Sequence, residues 1–365
     1  MKKIIFMKNN KNKKIILSGG GTGGSVIPLI FIREELKNNF DFLFVGTYRG
    51  VEKNIVLSEG MKYKAIFSGK LRRYFSVYNF IDLFKIFIAF WQSLFLLIKE
   101  RPGLIISAGG FVSVPLVFAS WFLKIPVLIH QQDVVPGLAN KLMAPFSKIV
   151  TVTFEKSLKS YGKKGRLIGN IAADLGLLGI TKNDIFKKYH LKDDLPLLLV
   201  LGGGTGSYFI NNLLKLSLKE LSLLTNIVHI SGRSDRGFEI EENVDNYLRF
   251  EFLKHKDLIE LMYISDLLVS RCGLATLTEI SFLKKPSILI PMPDSHQEYN
   301  AWEFKNKEAA IILEEKNLSP TLLVKEIKEV LSNNYLREKL SNNVSEVIKN
   351  GNQRMIAIVE SFFEN

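Results

Sequence analysis

The chain has 365 residues, 47% of them hydrophobic and 23% charged, with a formal net charge of +13. Those fractions belong to a globular chain and exclude a largely disordered one, and the length fits two domains. A single cysteine, Cys272, excludes a disulfide framework and any multi-cysteine metal site, and the five histidines show no H-E-x-x-H or similar ligand spacing.

In chain order, Met1–Lys14 is Lys/Asn-rich and has neither the long apolar run nor the small-residue cleavage site of a signal peptide. Lys14–Leu17 reads as a strand, followed by a glycine-rich turn and a helix over Ile27–Asn38. Phe42–Val45, Leu104–Ser107, Val127–His130 and Lys148–Val152 read as further strands with helical stretches between them. The pattern restarts at Leu197–Leu201, again with glycines and then a helix over Phe209–Leu221. Strands at Ile227–Ile230, Leu267–Ser270 and Ser287–Ile290 follow, and the last helical stretch is Tyr335–Phe363. Strands that are apolar throughout, alternating with helices, predict parallel α/β sheets covered on both faces. The repeat predicts two Rossmann-like domains, divided near Gly169–Gly179, with ligands at the carboxyl ends of the strands and the active site in the cleft between the domains.

Charge divides the chain unevenly. Residues 1–168 carry 26 Lys+Arg and 9 Asp+Glu, a net of +17, whereas residues 169–365 carry 23 and 27, a net of −4. A basic half suits nucleic acid, an anionic membrane or an anionic substrate. No zinc-finger spacing, RNP signature or heptad-linked basic region supports nucleic acid. The stretch Leu71–Lys99 is dense in aromatics, with Arg72, Arg73, Lys85 and Lys99 in or beside it. Asp82, Lys85 and Gln92 interrupt its apolar run, so it is a poor bilayer span. It reads either as a helix lying in a membrane interface or as a core helix packed on a sheet, with both open for different faces.

Three glycine loops stand at predicted strand ends: Ser18–Gly24, Ser107–Pro115 and Leu201–Ser207. Glycines let a ligand approach the backbone, and the helix N-terminus that follows favours anions. Dinucleotide binding also wants an acid about 20 residues later, at the end of the second strand. Phe44-Val-Gly-Thr47 supplies none, nor does the end of Ile227–Ile230. A nicotinamide or flavin oxidoreductase is therefore disfavoured, while a diphosphate or sugar ligand remains open. In Ser270–Ile280 a strand runs into a helix start that could take a phosphate, with Glu279 suited to ribose hydroxyls. Met292–Ala301 clusters amides and a histidine suited to sugar hydroxyls.

Taken together, Gly19–Gly24, Gly109–Pro115, His130–Asn140, Gly169-Asn170, Gly202–Gly206, Ser270–Glu279, His296-Gln297 and Asn300-Ala301 resemble the MurG family, in that family's order and across nearly the whole chain. The resemblance implies an α/β GT-B fold of two Rossmann-like domains and an inverting glycosyltransferase. It implies transfer of N-acetylglucosamine from UDP-GlcNAc to the C4 hydroxyl of MurNAc in lipid I (undecaprenyl-pyrophosphoryl-MurNAc-peptide), giving lipid II for peptidoglycan. It further implies no cofactor, no fixed metal, no nucleic acid, and a peripheral location on the anionic cytoplasmic face of the cell membrane. The implied domains are 1–168 for lipid I and membrane, 169–340 for the UDP-sugar, and 341–365 as a helix crossing back.

The same resemblance distributes roles. Thr22, Gly23, Gly24, Asp133, Gly204, Thr205, Gly206, Leu253, Arg271, Gln297 and Asn300 fall to the donor. So does the helix start Leu274, Ala275, Thr276, Leu277, Thr278 and Glu279. Gly20, Gly21, Ser25, Gly109, Gly110, His130 and Asn140 fall to the acceptor. This chain departs from the family in places. Ser25 stands where the family has a histidine, His130-Gln-Gln-Asp133 replaces His-Glu-Gln-Asn, Ala173 replaces an arginine, and the hydroxyl of the third loop moves to Thr205 or Ser207. An inverting transfer needs a base for the acceptor hydroxyl, and with Ser25 unable to serve, Asp133 and His130 become the catalytic candidates. Arg271 either replaces the missing arginine or forms a structural ion pair. A related transferase with another acceptor, and a non-catalytic UDP-sugar-binding membrane protein, stand as alternatives.

Overall fold

The computed structural model describes residues 13–21, 23–69, 78–172, 177, 179–203, 206–232 and 244–364, with side chains of the helix that begins at Tyr78 described from Phe84 onward. Two compact units emerge. The first takes the chain up to Gln132, then Pro136–Ala173 and Gly351–Asn365; the second takes Asp133–Val135 and Asp174–Asn350.

In the first unit the order is β1 (Lys14–Ser18), α1 (Ile27–Leu36), β2 (Asp41–Gly46), α2 (Val51–Ser58), β3 (Tyr63–Ala65), α3 (Tyr78–Glu100), β4 (Leu104–Ser107), α4 (Ser113–Phe122), β5 (Val127–Gln131), α5 (Leu138–Met143), β6 (Ile149–Val152) and β7 (Gly165–Leu167). The second unit runs α6 (Lys182–Lys188), β8 (Leu197–Leu201), α7 (Tyr208–Leu221), β9 (Asn226–Ile230), β10 (Tyr247–Phe250), α8 (His255–Ile264), β11 (Leu267–Ser270), α9 (Leu274–Phe282), β12 (Ser287–Leu289), α10 (His296–Asn306), β13 (Ile311–Ile312), α11 (Pro320–Ser332) and α12 (Asn334–Val344). The last helix, α13 (Asn352–Ser361), rejoins the first unit.

Each unit has one all-parallel sheet, ordered β3-β2-β1-β4-β5-β6-β7 in the first and β10-β9-β8-β11-β12-β13 in the second. The expectation of two parallel α/β sheets holds. The strands missing from the sequence reading are the short β3, β7, β10 and β13, the four edge strands of the two sheets, where partly exposed residues replace the fully buried run. The stretch read as one last helix is broken between α12 and α13, at Ser345–Gly351.

Side-chain alternation along β1 builds both faces of the first sheet. Ile15 and Leu17 join one core layer with Leu29 and Ile32 of α1 and Met355 and Val359 of α13. Ile16 points to the opposite layer, with Leu97 of α3 and Leu116 and Val117 of α4. All of these are buried, each adding roughly 1.5–3 kcal/mol over exposure. In the second unit Leu198 and Val200 pack against Leu213 and Leu214 of α7 and Leu323 and Ile327 of α11. In both sheets the chain reverses its winding beside the first strand, between β1 and β4 and between β8 and β11. Those switch points are where doubly wound sheets open a crevice for ligands.

Candidate active site

The first unit brings two of the glycine loops together at its switch point. Gly110 has φ +97°, and a Cβ there would meet Gly20 O at 2.7 Å and Gly20 N at 2.8 Å, so only a glycine lets the two loops touch. Ser18 and Ser113 join the loop roots through their hydroxyls at 2.9 Å, and Ser113 donates to Gly109 O at 3.3 Å. Ser25 turns inward and donates to Gly20 O at 3.3 Å. Gln132 Nε2 donates to Gly24 O at 3.1 Å. Thr22 lies outside the described residues, and Gly23 and Gly24 form the short turn before α1.

Asn140 belongs to the same group. Its Nδ2 donates to Gln131 Oε1 at 2.7 Å, which also accepts from Tyr161 OH at 3.0 Å. Its Oδ1 is buried without a hydrogen-bond partner, 3.3 Å from where a Gly109 Cβ would stand. An orphaned acceptor beside a glycine loop is a place for a ligand donor. His130 does not join this group. It is fully buried on β5, with Nδ1 3.0 Å from Thr151 Oγ1 and Nε2 2.8 Å from Asn170 Oδ1. Desolvation pushes its pKa down to about 4, against smaller upward contributions from Asn170 and Thr151. With both nitrogens engaged and no route to solvent, His130 supports the strand end and is not placed to take a proton from an acceptor.

The second unit assembles the donor candidates at its own switch point. Ser207 caps α7, accepting from Ile210 N at 3.3 Å, and accepts from Arg271 Nε at 3.1 Å. Arg271 Nη1 donates to Ile290 O and Pro291 O, both at 3.2 Å, and Nη2 pairs with Glu315. The guanidinium is thus spent on a buried clamp that joins the third glycine loop, β12 and the turn at Glu315. The structural ion pair, left open from sequence, is what the fold uses. Gly204 and Thr205 lie outside the described residues, and Gly206 has φ +83°.

The segment Leu274–Glu279 is the start of α9, capped by Gly273 without a side-chain bond, so its N-terminal N–H groups are unsatisfied by the cap. Leu274, Leu277 and Thr278 turn their side chains into the core, and Leu277 N donates to Gly273 O at 3.0 Å; Ala275, Thr276 and Glu279 are partly exposed. Glu279 Oε1 lies 2.9 Å from His255 Nε2, which brings the α8 start, two residues after Leu253, to the same place. The Glu279 hydrogen bond raises the His255 pKa, against desolvation. Sequence reading did not single out His255; its position two residues beyond Leu253 was the available signal.

Gln297 Oε1 accepts from Cys272 N and Met292 N, both at 3.1 Å, so its carbonyl is committed to joining two loops and its amide nitrogen is the group left to donate. Asn300 is fully buried. Its Oδ1 accepts from Val134 N at 3.2 Å, and its Nδ2 donates to Asp133 Oδ1 at 3.0 Å and Cys272 O at 3.3 Å. Asn300 therefore holds Asp133 and is not open to a sugar. His296 Nε2 stands 4.0 Å from Asp133 Oδ1, and the Asp133 carboxylate is about one-third exposed. An oriented, accessible carboxylate beside an exposed imidazole is a usable proton acceptor.

The glycosyltransferase family 28 N-terminal domain matches residues 15–152, and its C-terminal domain matches 197–355. A relative from Clostridium kluyveri is 35% identical over 96% of this chain and 99% of its own. It is named UDP-N-acetylglucosamine–N-acetylmuramyl-(pentapeptide) pyrophosphoryl-undecaprenol N-acetylglucosamine transferase. The chain belongs to the MurG family of glycosyltransferases. Relatives of the same name from Clostridium botulinum (38% identical, covering 92% of this chain and 99% of that one) and Clostridium tetani (37%, covering 96% and 98%) agree. Acinetobacter baumannii MurG has the same fold, with a TM-score of 0.75 at 20% identity over 96% of this chain and 99% of that one. Placed on this MurG-family chain, the two family domains span the switch points of both sheets.

Proposed function

We propose that the chain transfers N-acetylglucosamine from UDP-GlcNAc to the C4 hydroxyl of MurNAc in lipid I, with inversion, giving lipid II. The observation that carries this reading is the 35–38% identity, over nearly the full length, to transferases of that name. Asp133 is the base. Held by Asn300, it takes the hydroxyl proton as the acceptor oxygen bonds to the anomeric carbon and the bond from that carbon to the UDP oxygen breaks. His296 stabilises the local charge. The electron pair leaves on the diphosphate, which is met by the N–H groups at the α9 start and by the third glycine loop. Glu279 and the amide nitrogen of Gln297 hold donor hydroxyls. The first and second glycine loops and Asn140 hold the acceptor. The test is transfer from radiolabelled UDP-GlcNAc to a short-chain lipid I analogue. Wild type is expected to give labelled disaccharide. Asp133→Asn should lower kcat by roughly 10²–10⁴ with UDP binding retained. Wild-type binding of UDP-GlcNAc without transfer would sink the acceptor assignment.

The acceptor half works at an anionic membrane surface, on the cytoplasmic side. Among the described residues no helix is long and apolar enough to cross a membrane. One face of α3 packs Ala89 and Leu97 into the core, while Gln92 accepts from Phe67 N at 2.8 Å. The opposite face exposes Phe84, Phe87, Trp91 and Phe95, and Trp121 and Phe122 at the end of α4 are exposed as well. Phe122 meets Phe90 at 5.6 Å, and Trp121 meets Phe146 at 5.5 Å, so α3, α4 and the turn after α5 form one patch. In the same unit a cavity of about 490 Å³ is lined by Lys141, Lys164, Tyr161 and Pro145, with no acidic residue. Exposed aromatics rimmed by lysines suit an anionic lipid surface. Vesicle co-sedimentation checks this: binding should require anionic lipid and weaken in Trp121→Ser/Phe122→Ser, whereas equal binding of that variant would remove the patch from the reading.

A further inference from the structure

Glu52 is fully buried in the first turn of α2, beneath the first glycine loop. Its Oε1 accepts from the backbone N–H of Thr47 at 3.0 Å and from the Thr47 hydroxyl. Tyr63 OH fixes the same residue from the other side by donating to Thr47 O at 2.5 Å. Glu52 Oε2 has no hydrogen-bond partner, and no ion pair to Glu52 exists among the described residues. A Cβ on Gly20 would stand 3.1 Å from the carboxylate carbon and from Oε1, and 3.3 Å from Oε2. Gly20 is therefore gripped between Gly110 of the second loop and the Glu52 carboxylate.

A purely structural role does not need this arrangement. A buried carboxylate with an orphaned oxygen is a poor contributor to stability, and an amide or apolar group of similar volume usually does as well or better. The carboxylate instead lies directly against the loop backbone at Gly20.

We propose that Glu52 is a positioning residue for acceptor binding, its carboxylate fixing the first glycine loop at Gly20 so that the loop meets the acceptor in one conformation. This rests on the reading of the first unit as the acceptor half.

The test uses the full chain, the radiolabelled transfer and thermal unfolding of wild type, Glu52→Gln and Glu52→Met. The expected result for Glu52→Gln is a fall of about tenfold or more in kcat/KM for the acceptor analogue, donor KM within about twofold, and a Tm unchanged or raised. Glu52→Met should show the same split. Acceptor kinetics like wild type in both variants would overturn the proposal. So would a lowered Tm with acceptor and donor kinetics falling together, the mark of a folding role. Wild type that binds UDP-GlcNAc but transfers nothing to the analogue would overturn the acceptor reading and this inference with it, whereas active wild type with both variants indifferent would overturn this inference alone.

Discussion

His130 Nε2 lies 2.8 Å from Asn170 Oδ1. An amide oxygen only accepts, so Nε2 carries the proton, and Nδ1 faces the Thr151 hydroxyl at 3.0 Å. The ring is held neutral inside the first unit, tying the end of β5 to the segment after β7. Asn170 O in turn accepts from Gly351 N at 2.8 Å, so the same residue secures the return of the chain into α13.

This pair predicts an acid-sensitive fold. The folded pKa of His130, about 4, lies below its ordinary value of 6.5. The unfolded chain therefore binds a proton between those values and the folded one does not. The stabilisation is present above pH 6.5 and is lost as pH falls toward 4, of order 3 kcal/mol in all. Urea midpoints measured from pH 7.5 to 4 should fall more steeply for wild type than for His130→Gln; parallel curves would contradict the assignment.

Removing Arg271 should damage both stability and donor binding. Arg271→Ala strands Glu315 and frees Ser207 at the root of the third loop, at a cost of order 3 kcal/mol. Arg271→Lys should rescue little, because one ammonium cannot reproduce a planar fork with four partners. Urea unfolding and donor KM measure the two effects, and a lysine variant close to wild type would argue against the clamp.

Gly206 and Gly203 provide an internal contrast. Both have positive φ, +83° and +84°, but a Cβ on Gly206 would collide with Ser231 O, whereas Gly203 has open space. Ser231 O cannot retreat freely, because it accepts from Asn211 Nδ2 at 3.0 Å, and Asn211 Oδ1 is braced by His229 Nε2 at 3.1 Å. Gly203→Ala should cost about 1–2 kcal/mol, the price of a left-handed residue alone. Gly206→Ala should cost more and abolish UDP binding by calorimetry. Equal affinities for the two variants would show that Ser231 does not confine the loop.

Donor affinity should improve as pH rises from 6 to 8. His255 has a raised pKa because of its bond to Glu279, so the pairing is strongest while His255 is protonated and weakens as pH passes through that raised value. Glu279 is then released for ribose hydroxyls. The donor KM of His255→Ala should be flat over this range, and an unchanged pH profile in that variant would remove the competition.

The glycine loops, the central strands of both sheets and the family resemblance could be read from the sequence because each rests on local strings of residues. A run such as Leu197–Leu201 is buried wherever it sits in a parallel sheet, and a loop such as Gly202–Gly206 declares its backbone freedom by composition. The roles of single polar residues could not be read this way. His130 and Asp133 stand three positions apart, yet one is sealed with both nitrogens occupied and the other is partly open and held by Asn300, 167 residues away. Arg271 and Asn300 looked available to a ligand until their four and three partners were known. Glu52 was invisible as a site residue because the helix after β2 turns its carboxylate back under Gly20. The strands and turns were set by short-range hydrophobic pattern and backbone freedom; burial and hydrogen-bond partnership, which decide whether a polar group is free to act, arose only when distant segments met.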